Sequence, residues 1–144
     1  MAMQHLTVPV LWQDILDPNR FWNEVILQAN DDTHLFGVSF SNLDKERSGN
    51  DSATVQGLSV NHAYSILRAK ECNGTRFIVI RNPWGHSEWT GRWSDGSKEW
   101  TGEWLQVLKE LDHKMGDDGE FVMECEYSMA GKYSKISLIV VCRF

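Results

Sequence analysis

Two strand-forming runs, residues 62–69 and 75–81, are separated by Cys72-Asn73-Gly74. This limits the fold more than any other feature of the chain. An Asn-Gly pair between apolar runs is a hairpin signal, because both residues tolerate the left-handed backbone of a tight reversal. The middle of the chain must therefore build an antiparallel pair, and the rest must pack on it or extend it. Loop length also decides which side chains share a face. A two-residue Asn-Gly loop would put His62 and Asn82 on opposite faces. A three-residue loop, with Gly74 left-handed and a bulge, puts them on the same face. They are then diagonal cross-strand neighbours, roughly 7–8 Å apart between α-carbons and within side-chain reach. The odd-length loop is the expectation adopted.

Other elements follow from spacing and punctuation. Asp17-Pro18-Asn19 is a helix start, with an acidic cap and Pro in the first turn. Phe21, Trp22, Val25 and Ile26 then recur at helical spacing, predicting an amphipathic helix over 20–29 that ends near Asn30-Asp31-Asp32. Residues 34–40 read as a strand, 41–54 as a polar surface loop, and 101–110 as a short helix. A turn at Gly116-Asp117-Asp118-Gly119 precedes strands over 121–126 and 136–142. The expected class is α+β, a mostly antiparallel β-sheet protein with two small sheets, sandwich- or barrel-like, and a few peripheral helices. At 144 residues, the size prior is a single domain over 1–144.

The net charge of -6 argues against a nucleic-acid surface, which needs clustered Lys and Arg. It is compatible with a cation site. The cysteines Cys72, Cys125 and Cys142 lack regular spacing, so a disulfide framework is not expected and a reducing, intracellular setting is. No apolar run is long enough to span a bilayer. The start lacks the basic and apolar regions of a signal peptide.

His62 and Asn82 carry the first chemistry. A histidine can take a proton from a thiol, and an asparagine can hold its ring in the useful tautomer. Each has a bland alternative: a structural histidine on a strand, and an Asn that ends a strand before Pro83, which cannot donate to a ladder. No cysteine has a convincing nucleophile context. Cys72 lies in the hairpin region away from His62, and Cys125 and Cys142 fall in strands. His86 and His113 are isolated, with no zinc set. A second constellation is acidic. Glu88 and Asp95 flank one loop, and Asp118 and Glu120 sit two apart across Gly119. Alternate carboxylates in an extended loop can face one hard cation, or can be solvated turn acids. The pattern is not an EF-hand loop. The tryptophans at 84, 89, 93, 100 and 104 could form a sugar- or proline-binding platform, but their irregular spacing favours core packing.

The runs Gly57-Leu58-Ser59-Val60-Asn61-His62-Ala63-Tyr64-Ser65, Ile80-Arg81-Asn82-Pro83-Trp84-Gly85, Glu88-Trp89-Thr90-Gly91-Arg92-Trp93-Ser94-Asp95 and Asp118-Gly119-Glu120-Phe121 closely resemble the calpain family. The resemblance implies a papain-like protease core split into two subdomains, of which this chain is similar to the second, the papain-like C-terminal half. By resemblance, His62 is the general base and Asn82 its orienting partner. Trp84 matches the tryptophan that shields the His–Asn bond and wedges between the subdomains when calcium is absent. Many calpains have Gly before the histidine. Asn61 stands there in this chain, and its added side chain would narrow the substrate cleft. Glu88, Asp95, Asp118 and Glu120, with the carbonyl of Gly116, match a calcium-binding loop set. The implied partners are a Cys-bearing protease subdomain of the same parent chain and protein substrates, in the cytoplasm. Without that subdomain, no peptide cleavage is expected. The alternative is a non-catalytic calcium-sensing or interaction module that keeps the fold, and a third reading is a Trp-rich binding domain.

Overall fold

The structure, a computed structural model, describes residues 8–11, 15–31, 34–41, 54–55, 57–59, 62–125 and 135–142, with side chains over 15–31, 36–39, 57–59 and 62–125. Its strands are β1 (Val8–Leu11), β2 (His34–Ser41), β3 (Thr54–Val55), β4 (Leu58–Ser59), β5 (Ala63–Cys72), β6 (Thr75–Arg81), β7 (Glu120–Glu124) and β8 (Lys135–Cys142). Among the described residues, two α-helices, α1 (Pro18–Glu24) and α2 (Leu105–Glu110), each adjoin a 3-10 turn, Ile26–Asn30 and Gly102–Trp104 respectively. Six strands form one antiparallel sheet in the order β1-β8-β2-β5-β6-β7, and β3 pairs with β4 in a small ribbon. The class is α+β and mostly antiparallel, as expected. The two sheets are very unequal, and among the described residues β1 and β7 are the outer strands of the larger.

The hairpin forms with a shorter loop than predicted. Cys72 pairs directly with Thr75, so Asn73-Gly74 is a two-residue loop, and Cys72 closes a strand. Both loop residues have positive φ, 50° and 77°, as a primed turn requires. Because Asn tolerates this backbone, no third loop residue is needed. That loop alone would put Ser65 opposite Asn82, and His62 on the far face from it. The register instead shifts between Ile66 and Arg68, so that Ile66 faces Ile80 and Ser65 faces Arg81. This β-bulge adds one residue to β5 and restores the parity. Continued beyond it, the register sets Tyr64 against Asn82, with His62 one pleat away on the same face. The shared face was expected correctly; the device that produces it is a bulge inside the strand.

On its other edge β5 pairs with β2 only as far as Ile66, which leaves the backbone beyond it in need of a partner. Asn30 provides one. Its Nδ2 donates to the Ala69 carbonyl at 2.7 Å, and its Oδ1 accepts the Ala69 N–H at 3.0 Å. The helix that delivers Asn30 starts as predicted, with Asp17 accepting the Arg20 N–H at 3.1 Å and Pro in the first turn. It leaves α geometry at Val25 and finishes as the 3-10 turn. That change sends Ile26 into the core and Asn30 to the β5 edge.

Both faces of β6 are buried. Ile78 and Ile80 join Trp22, Ile26, Tyr64, Trp89 and Phe121 on one side. Phe77 and Val79 join Trp93, Trp100, Val107 and Leu111 on the other. Such a strand reads as a continuous apolar run, as 77–80 does. The tryptophan cluster is core packing: Trp89, Trp93 and Trp100 are buried, and Phe77 meets Trp93 edge-on at 5.0 Å between ring centroids. Trp84 is the exception at 55 % exposure. The predicted loop lies outside the described residues over 42–53, as does the tail of the predicted strand beyond Cys125. The β1 strand and the β3–β4 ribbon were not anticipated. Among the described residues, no helix is long and apolar enough to cross a membrane.

Candidate active site

His62 stands immediately before β5 and Asn82 immediately after β6, so the hairpin brings its two ends to one place. Asn82 is fully buried. Its backbone N–H donates to the Gly119 carbonyl at 2.8 Å, and its carbonyl accepts the Gly85 N–H at 3.0 Å. Pro83, which has no N–H, takes the chain out of the ladder at this point. The side chain then does three things. Its Oδ1 lies 3.0 Å from His62 Nε2 and accepts the Trp84 N–H at 3.1 Å. Its Nδ2 donates to the Ser87 carbonyl at 3.1 Å. A backbone N–H at one end and a backbone C=O at the other permit one amide orientation only. So placed, Oδ1 offers His62 an acceptor, which the Nε2–H tautomer satisfies while leaving Nδ1 its lone pair. A neutral imidazole held this way can accept a proton at Nδ1 from an incoming acid.

Aromatic neighbours hold the ring. The Trp84 ring lies over His62 with centroids 4.3 Å apart at 37°, and Tyr64 meets it edge-on at 5.0 Å and 88°. The Tyr64 hydroxyl accepts the Ser59 N–H at 2.8 Å, tying the segment before His62 to β5. That segment also touches the loop after Asn82. A Cβ at Gly57 would fall 2.1 Å from the Glu88 carbonyl oxygen, so only glycine allows this approach. Asn61, expected at the cleft, lies outside the described residues.

Gly119 joins the Asn82 corner to the acidic loop. Its φ is +83°, and a Cβ there would lie 2.8 Å from Gly85 Cα and 3.0 Å from the Asn82 carbonyl oxygen. Glu88 Oε2 accepts the N–H groups of Asp118 and Gly119 at 3.0 and 3.4 Å. The other oxygen, Oε1, is buried without a partner. Burial pushes the Glu88 carboxyl up to about 7, and the charges of Asp95 and Asp118 act the same way. Asp95 bonds His113 Nε2 at 2.7 Å and the Gly116 N–H at 2.8 Å. Asp118 Oδ1 accepts the Glu120 N–H at 2.9 Å, while the Glu120 carboxylate pairs with Arg68 at 3.5 Å.

Of the five residues expected to hold a metal, Glu88, Asp95 and Gly116 line one cleft, and Asp118 borders it through its bond to Glu88. The Glu120 carboxylate faces Arg68. Among the described residues, no three His, Cys, Asp or Glu side chains form a metal-binding group. The orphaned oxygen and the mutual repulsion of Glu88 and Asp95 nevertheless suit a hard cation, which takes carboxylate and backbone carbonyl oxygens together.

Some participants were not foreseen. His113 is not isolated; it is buried against Asp95. Nothing in residue type flags Ser87, whose part is played by its carbonyl. Gly119 did carry a signal, since a Gly ending an Asp-rich turn often takes a left-handed backbone. Cys72 and Cys125 are buried. Cys72 ends the strand that His62 precedes, about 30 Å along an extended chain. Burial, and then Glu110, push its thiol up to about 11, which disfavours the thiolate.

A family model described as calpain family cysteine protease matches residues 2–142. Calpain-9 of Rattus norvegicus is 39 % identical over 113 residues, covering 76 % of this chain and 16 % of the relative. The calpain-1 catalytic subunit of Bos taurus is 42 % identical over 113 residues, covering 74 % of this chain and 15 % of the relative. The calpain-1 catalytic subunit of Gallus gallus is 46 % identical over 77 residues, covering 51 % and 11 %. The chain thus spans about one sixth, or less, of the length of these relatives. Matched over nearly its whole length, this chain belongs to the calpain family of cysteine proteases.

Proposed function

We propose that this chain supplies the histidine–asparagine half of a calcium-regulated, intracellular cysteine endopeptidase. The observation that carries the reading is the His62–Asn82 bond of 3.0 Å, made by an amide whose orientation its other two bonds support. In the proposed reaction, a cysteine thiol on another subdomain of the same parent chain gives its proton to His62 Nδ1. The thiolate attacks the peptide carbonyl of a protein substrate, and His62 then protonates the leaving amine. Asn82 keeps the ring in register, and Trp84 screens the bond from water. A supporting fact is that the chain covers only 16 % of a relative such as calpain-9, which leaves room for a Cys-bearing subdomain elsewhere. With Cys72 and Cys125 buried, the chain alone is proposed to be inactive.

Calcium enters the same proposal. Glu88, Asp95, Asp118 and the Gly116 carbonyl would hold it, with the Glu120 carboxylate left to Arg68. Bound there, it supplies positive charge that offsets the clustered carboxylates and steadies the loop hydrogen-bonded to Asn82. The test is to join the chain behind a calpain Cys-bearing subdomain in one polypeptide and assay peptide hydrolysis. Thiol-reagent-sensitive cleavage that His62→Ala abolishes supports the proposal. A folded chimera that cleaves equally well with His62→Ala refutes it.

A further inference from the structure

We propose that Ser87 is a positioning residue for the His62–Asn82 pair: its carbonyl selects the amide orientation of Asn82 and, through it, the nitrogen of His62 that carries the proton. The inference rests on the reading of His62 as a base and names what keeps that base usable. The two ends of the buried Asn82 amide have different neighbours. The Oδ1 end meets His62 Nε2 and the Trp84 N–H, and the Nδ2 end meets the Ser87 carbonyl. Turned by half a revolution, the amide would set oxygen against the Ser87 carbonyl oxygen and NH₂ against the Trp84 N–H. It would also offer His62 a donor, so Nε2 would become the acceptor and the proton would move to Nδ1. That is the nitrogen a thiol needs free. Trp84 guards one end of the amide and Ser87 guards the other.

The Ser87 carbonyl reaches this position through a left-handed backbone, φ 67°, uncommon for a non-glycine residue and found where the surroundings demand it. The turn is also held by its own side chain, which bonds His86 Nδ1 through Oγ at 2.8 Å. That Oγ bond is made to a neighbour other than Asn82, whose Nδ2 donates to the backbone carbonyl, so the backbone angle is decisive for the orienting role. A glycine at 87 keeps access to the angle; a proline, fixed near -65°, cannot.

The test is nitrogen NMR of the imidazoles of the 144-residue chain, at a pH where the rings are neutral. Wild type and Ser87→Gly are expected to show His62 as the Nε2–H tautomer alone. Ser87→Pro is expected to lose that purity, with resolvable Nδ1–H signals. Ser87→Pro with the wild-type tautomer, or Ser87→Gly without it, overturns the proposal. If the proline variant unfolds, shown by loss of the Trp93 indole N–H signal, wild type decides. One Asn82 Nδ2 proton must then be protected from exchange and scalar-coupled to the Ser87 carbonyl carbon, and absence of that coupling overturns the proposal. These outcomes are separate from the protease reading, since a chimera without activity leaves the tautomer contrast unchanged.

Discussion

Gly119→Ala should destabilise the protein by more than its backbone angle alone explains. The left-handed conformation, φ +83°, costs a non-glycine residue about 1–2 kcal/mol. A second cost comes from contact. The new Cβ would lie 2.8 Å from Gly85 Cα and 2.9 Å from Gly85 C, where carbon pairs settle at about 3.5–4.0 Å. Those atoms are backbone and cannot rotate aside, so relief requires the Asn82–Gly85 turn or the Gly119 strand start to move. Overpacking of this kind costs about 1–3 kcal/mol. The expected total is about 2–5 kcal/mol, a large part of the ~5–15 kcal/mol that holds a domain folded. Gly96→Ala is the control, with φ +77° and nothing within 4 Å of the added carbon. It should cost only the conformational share, about 1–2 kcal/mol. Urea unfolding of both variants reads the difference, expected as an excess of about 1–3 kcal/mol for Gly119→Ala at unchanged m-value. Equal losses in the two variants would refute the claim that Gly119 is a steric keystone between the acidic loop and Asn82.

Three further outcomes follow from the same geometry. Glu88 is raised from 4.5 to about 7, so the folded chain holds this proton more tightly than the unfolded chain, and stability falls as pH rises through that window. Glu88→Gln should therefore gain about 1 kcal/mol above pH 7 after allowing for solvent screening, with no gain near pH 4.5; parallel denaturation curves at the two pH values that show no such contrast would count against it. Tyr64→Phe removes the acceptor of the Ser59 N–H and should cost about 1–3 kcal/mol, while an unchanged thermal midpoint would show that the bond is dispensable. Calorimetric titration with calcium should give heat with wild type and little with Asp118→Ala, and wild-type affinity should fall as pH drops below about 7, where Glu88 takes up its proton; absence of heat in wild type would remove calcium from the proposal.

The central hairpin was legible in the sequence because Asn-Gly chemistry is local and the flanking runs are long. The shared face of His62 and Asn82 was legible as an outcome only. The bulge between Ile66 and Arg68 leaves no mark in residue type, and the Asn30–Ala69 bonds join residues 39 apart in sequence. The 20–29 helix was placed correctly at its start, where capping is a side-chain signal. Its change to a 3-10 turn was missed because the contacts that accompany it, Asn30 to Ala69, are tertiary. The acidic loop was found by composition, but its pairings were not. His113 and Arg68 reach Asp95 and Glu120 across 18 and 52 residues of sequence, distances over which no local pattern speaks. Ser87 was invisible for a different reason: a carbonyl is common to every residue, and only its direction matters.

Hydrolysis by the chain joined behind a calpain Cys-bearing subdomain tests the role of His62 most directly. Wild type should cleave a peptide substrate, and His62→Ala should lower kcat/KM on the order of 10³-fold, within the range general-base removal produces. Cleavage that survives His62→Ala, or a folded chimera with an intact thiol that never cleaves, would contradict it.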